Sequence, residues 1–182
     1  MNVVERIREQ YKTNMMQELK AKPHRKRIMN LDDVRSIGVI AHGLTDTEQI
    51  TLSQFTHHMT NRGSMVRKIE LPQNAEEMLD KYGLPKQDFM QLFTSYHYDV
   101  LIDTTTGNDL FGPYVTLNAS SSLRVGYGGT PPLPRPGTAE AQAAAKCHLD
   151  MYDLIILGKE PYELSRYLTN ILEYMVMIKK SR

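Results

Sequence analysis

Two stretches of the chain gather residue types that do chemistry. Residues 98–109, YDVLIDTTTGND, run from an apolar segment into Asp103, Thr104, Thr105, Thr106 and Gly107. Hydroxyls, a glycine and the start of a following helix are the ingredients of an anion cradle, because backbone N–H groups at a helix amino terminus carry partial positive charge. The stretch lacks the G-x-G-x-x-G pattern and the phosphate-loop lysine, and Asp103 and Asp109 bracket it with negative charge. It therefore reads as a polar turn in which a hydroxyl, Asn108 or Asp109 caps the next helix, and in which Thr105 is dispensable.

The second stretch is KAKPHRKR, residues 20–27. Residues 1–30 hold eight Lys and Arg against three Glu, a surplus of +5, whereas residues 31–182 hold fourteen against eighteen acids, or −4. A cluster centred on Arg25, Lys26 and Arg27 attracts the phosphates of nucleic acid or of an anionic membrane. The competing expectation is a solvated linker, since no aromatic or glycine interleaving accompanies the charges.

Other candidates are isolated. His42 ends an apolar run, with no partner for acid–base work identifiable in the sequence. Asp103 closing one strand and Lys159 closing another match part of a receiver-type phosphorylation site, but Ala41 and His42 stand where the metal-holding acids belong, and Asp32-Asp33 precede the strand. GLTDTEQ, residues 43–49, has the threonines of a flavin phosphate loop, yet Asp46 sits where the anion would lie and tryptophan is absent. His57 and His58 are adjacent, so they lack the i, i+4 spacing of a helical zinc pair. Cys147-His148 has no nucleophile motif around it. No metal site and no cofactor are expected.

The elements that must position these residues follow from periodicity. Val4, Ile7, Tyr11, Met15 and Leu19 form one helical stripe that stops near Pro23. Apolar strands are expected near 36–42, 64–70, 99–104, 122–127 and 152–158. Between them lie helical stretches: one capped by Thr45 or Asp46, carrying Ile50, Leu52, Phe55 and Met59 and stopped by Gly63; one on each side of Gly83-Leu84-Pro85; and one over DLFGPYVTLN. Four prolines within 131–136 exclude regular structure there, and an alanine-rich helix follows from Ala139. The last helix opens at Pro161 and turns Leu164, Leu168, Ile171, Leu172 and Met175 inward.

Strands alternating with helices predict an α/β three-layer sandwich around a five-stranded, mostly parallel sheet. Its order is flavodoxin-like 2-1-3-4-5, with Rossmann-like 3-2-1-4-5 as the alternative. An amphipathic helix and basic arm (1–30) precede one α/β domain (31–182). In either order ligands bind beyond the carboxyl ends of the strands, which gathers His42, Asp103, Thr104, Thr105, Gly107 and Lys159 into one candidate edge.

One cysteine, a charged beginning and no run of about 18 apolar residues predict a chain without disulfides or a transmembrane segment, in the cytoplasm. RSIGVIAH, YGLP, YDVLIDTTTGNDLFGPYVTLNASSSLRVGYG and YDLIILGK, taken in order, resemble a family of small α/β proteins of unknown function from Bacteroidetes-type bacteria. More distantly, YDVLIDTTTG followed by SSSLRVGYG resembles the amino-terminal half of heptosyltransferase-type glycosyltransferases, which add a second domain for the nucleotide-sugar. The first resemblance implies the sandwich and no activity; the second implies a Rossmann-like half without the domain that binds the nucleotide-sugar. The expected function is a non-catalytic binding module that engages a protein partner, a second copy of itself or a polyanion through its basic arm or outer helices. The alternative is a nucleotide- or sugar-phosphate-binding protein or enzyme using the carboxyl edge.

Overall fold

The structure is a computed structural model that describes residues 3–70, 75–105, 111–128, 150–158 and 162–178. Its centre is β1 (Ser36–Ala41), an apolar strand paired in parallel with β2 (Met65–Glu70) on one side and β3 (His97–Asp103) on the other. Beyond β3 come β4 (Ser120–Tyr127) and β5 (Leu154–Ile156), also parallel, so the order is β2-β1-β3-β4-β5, the flavodoxin-like one. Buried on both faces, β1 and β3 have no need of polar alternation, which is why both read as continuous apolar runs.

One face is covered by α2 (Asp46–Asn61) and α5 (Leu164–Met177). Leu52, Phe55 and Met59 of α2 and Leu164, Leu168, Ile171 and Met175 of α5 share a core with Val39, Val100, Ile102 and Val125 of the sheet. α2 begins in a capping box: Glu48 N donates to Thr45 Oγ1 at 3.3 Å and Thr45 N donates to the Glu48 carboxylate at 2.9 Å. It stops at Gly63, whose φ of +86° only glycine adopts without strain. Ile50 is 60% exposed rather than inward. It lies two residues from Leu52, about 200° away around the helix, so it cannot share the stripe of Leu52, Phe55 and Met59.

The other face carries α3 (Gln87–Thr94), α4 (Phe111–Asn118) and, outside α4, the long α1 (Val3–Lys20). Met90 and Phe111 pack on Ile40 and Leu101, while Met16 and Leu19 of α1 meet Leu117 and Met151. Tyr11 stacks on Tyr82 with ring centroids 3.8 Å apart. The earlier turns of α1 overhang, with Ile7 57% exposed. At 1.5 Å per residue an 18-residue helix is roughly 27 Å long and its eight-residue support about 12 Å, so the expected stripe finds a partner over only part of its length.

From α1 the chain changes face. Met29, Leu31 and Val34 belong to the α2/α5 core, so residues 21–28 form a strap that passes around the amino ends of the strands. Arg27 N donates to Ser122 O at 2.8 Å, and Asn30 Nδ2 donates to Ile178 O at 2.5 Å. Among the described residues no helix is long and apolar enough to cross a membrane.

Candidate functional site

β3 ends in Asp103, which is 1% exposed although it carries a carboxyl group. A buried carboxylate is tolerated only when donors surround it. Thr105 supplies two, its N at 2.8 Å and its Oγ1 at 2.7 Å from Oδ1, and the Tyr152 hydroxyl donates to Oδ2 at 2.5 Å. Gly112 lies against the same group: a Cβ there would collide with Thr105 Oγ1 and with both carboxylate oxygens. Tyr152 reaches across because its ring packs flat where Gly126 has no side chain.

Thr104 is also turned inward, with both its N and its Oγ1 donating to Ile40 O, at 3.0 and 2.8 Å. Tyr167 donates its hydroxyl to Asp103 O at 3.0 Å and Tyr162 to Thr104 O at 3.3 Å. Burial, then the charge of Asp103, pushes the Tyr152 and Tyr167 phenols far above the usual tyrosine range. For Tyr162 burial again leads, followed by Glu48 and Asp103. These phenols are therefore donors. The Thr116 hydroxyl lies near Tyr152 without reaching hydrogen-bond geometry.

Of the residues expected at this edge, the structure joins Asp103, Thr104 and Thr105 in one turn. His42 is exposed at the end of β1, its ring edge-on to Phe111 at 5.7 Å. Gly107 and Lys159 lie outside the described residues, as do Asn108, Asp109, Cys147-His148 and the proline-rich and alanine-rich segments. The expectation that Thr105 is dispensable meets a contrary contact, since its hydroxyl donates to the buried Asp103 carboxylate at 2.7 Å. Asp32 and Asp33 form a 3-10 turn ahead of β1, at the opposite end of the sheet from Asp103, and Asp32 pairs with Arg62 at 2.8 Å. They cannot share a metal with Asp103. No cluster of three or more His, Cys, Asp or Glu suited to a metal occurs among the described residues.

The strap places the other expected site, Arg25, Lys26 and Arg27, at the amino edge of the sheet. His24 Nε2 and Asp153 Oδ2 are 2.8 Å apart, Lys26 Nζ donates to Asp153 O at 2.9 Å, and the same carboxylate oxygen accepts Arg124 N at 2.8 Å. Arg25, Lys26 and Arg27 are exposed, and the side chains of Arg25 and Arg27 have no hydrogen-bond or ion-pair partner among the described residues. Arg124 adds a half-buried guanidinium, lowered in pKa by burial against the opposing pull of Asp153, with Nε unpartnered. Beside Ser122, where the strap docks, exposed His97 holds Ser120 Oγ with Nδ1 at 2.8 Å and Ser122 Oγ with Nε2 at 2.9 Å.

Two concavities lined by described residues lie on the outer faces. One, of about 470 Å³ and mainly apolar, is formed by Leu31, Leu172, Val176 and Met177 with His58 and Arg62; the other, of about 300 Å³, is lined by polar Gln87, Gln91, Thr94 and Asn118 with Tyr114.

Fold and site together define an α/β sandwich with a buried carboxylate held by two hydroxyls and a backbone N–H at its carboxyl edge and a fastened basic strap at its amino edge. The chain matches no protein-family model, no curated protein and no solved structure.

Proposed function

We propose that this is a non-catalytic cytoplasmic binding module that engages the phosphates of a nucleic acid through its strap. One observation carries the reading: the strap is fastened through His24, Lys26 and the Arg27 backbone, yet the Arg25 and Arg27 guanidiniums are left exposed and uncommitted. A basic segment held in place by its own fold loses less conformational freedom on binding than a loose tail does. At the carboxyl edge, the Asp103 carboxylate and the Thr104 and Thr105 hydroxyls are already committed to internal bonds, which argues against a substrate site there. A membrane fits the strap less well, since Ile28 is the exposed large apolar side chain available to enter a bilayer.

Binding of oligouridylate measured by fluorescence anisotropy tests this. Affinity is expected to fall at least tenfold as salt rises from about 50 to about 200 mM, and to be lost when Arg25, Lys26 and Arg27 become alanine. Salt-insensitive binding, binding that survives the triple substitution, or binding to phosphatidylserine vesicles in place of RNA would overturn the reading.

A further inference from the structure

His97 is exposed at the first position of β3, and both its ring nitrogens are engaged by hydroxyls of the neighbouring strand, Nδ1 by Ser120 and Nε2 by Ser122. The pairing follows from register: His97 lies opposite Ser120, and Ser122, two residues on, projects from the same face of β4. The arrangement depends on protonation. A neutral imidazole has one N–H and one lone pair, so one serine accepts from the ring while the other must turn its own hydrogen inward to donate to it. An imidazolium has two N–H groups, so both serines accept, and both hydroxyl hydrogens are released toward solvent.

We propose that His97, Ser120 and Ser122 form a proton-operated seat for a single phosphodiester group. Protonation adds one positive charge and frees a second outward donor. A phosphodiester offers two anionic oxygens to two such hydroxyls, and charge-assisted bonds of this kind are the strong ones. The seat adjoins the strap directly, since Arg27 N donates to Ser122 O.

Charged groups of both signs lie on the strap and on the elements near the seat. Arg27 lies on the strap, Arg35 just ahead of β1, Arg67 over the Tyr96 ring at 3.7 Å and Arg124 on β4. Against them stand Asp99, whose Oδ2 accepts Arg35 N at 2.8 Å and Ser36 N at 3.0 Å, and Asp153, paired with His24. The proposal rests on the reading of the strap as a nucleic-acid surface and adds to it the contact that fixes the phosphate and makes binding depend on pH.

Oligouridylate is the suitable probe, because neither its diester nor its base titrates between about pH 5.5 and about pH 8, the interval in which histidine changes charge. At constant ionic strength the intact protein is expected to bind it about five- to tenfold more tightly at the lower pH, the effect of one added charge-assisted hydrogen bond. His97→Gln, and separately Ser120→Ala with Ser122→Ala, should remove that gain. The Arg25, Lys26 and Arg27 triple substitution should weaken binding at both pH values, so a failed strap and a failed seat give different patterns. A pH gain that persists in His97→Gln, no pH gain in the intact protein, or a His97 imidazole NMR signal unmoved by oligouridylate near pH 6 would overturn the seat.

Discussion

His24 Nε2 lies 2.8 Å from Asp153 Oδ2, a pairing that spans 129 residues of sequence and fastens the strap to the residue that leads into β5. Both side chains are largely enclosed, with 17% and 11% of their surface exposed, so water competes weakly for the bond.

Removing that fastener should loosen the strap without unfolding the sheet. His24→Ala is expected to speed tryptic cleavage after Arg25 and Arg27 about fivefold, corresponding to a loss of about 1 kcal/mol from the local closing free energy. Mass spectrometry of the fragments reads the site and the rate. Cleavage at the unaltered rate would mean that Lys26, the Arg27 backbone and Met29 hold the strap by themselves.

The donors around Asp103 should be costly to remove. Tyr152→Phe and Thr105→Ala each leave a buried carboxylate short of a hydrogen bond, and each is expected to lower stability by about 1–3 kcal/mol in urea denaturation. Thr105→Ser keeps the hydroxyl and should recover most of the loss. If the alanine and serine variants were equally unstable, methyl packing rather than the hydrogen bond would account for the effect.

The tyrosines give a sign for the alkaline limb of stability. Tyr98, Tyr114, Tyr152, Tyr162 and Tyr167, half of the ten in the chain, are all held above the ordinary value of 10, burial being the first cause in each. Above about pH 10 the unfolded chain sheds these protons while the folded protein keeps them, so their contribution is intact below that pH and is lost as pH rises. Absorbance at about 295 nm should show fewer tyrosinates in the native than in the urea-unfolded protein near pH 10.5, and the urea midpoint should fall from pH 9 to pH 11. Equal tyrosinate content in the two states would contradict the buried positions of Tyr152 and Tyr167.

The parts of this fold legible in the sequence are those whose determinants lie close together. Thr45 or Asp46 as a cap places the start of α2 to within a residue, and the apolar runs of β1 and β3 predict a sheet covered on both faces. Ile50 and Ile7 were read as inward because they are apolar, whereas burial also requires something opposite: Ile50 falls off the stripe, and α1 outruns α4. The strap needed His24 to meet Asp153 and Arg27 to meet Ser122, contacts without a local trace. Thr105 does carry a local signal, since Asp103 followed two residues later by a hydroxyl is the spacing of a turn closed by its own side chains. Tyr152 had none, because a tyrosine ahead of a strand says nothing of the carboxylate it will cap.

The strap also has a consequence for synthesis. Its anchors lie far downstream: Ser122 on β4, and Asp153 129 residues beyond His24. At roughly 5–20 residues per second, the ribosome makes the basic segment some 6–26 seconds before the aspartate that fastens it. For that interval the residue that holds His24 and Lys26 does not yet exist. Fastening of the strap is consequently a late event, after β4 and Asp153 have been made.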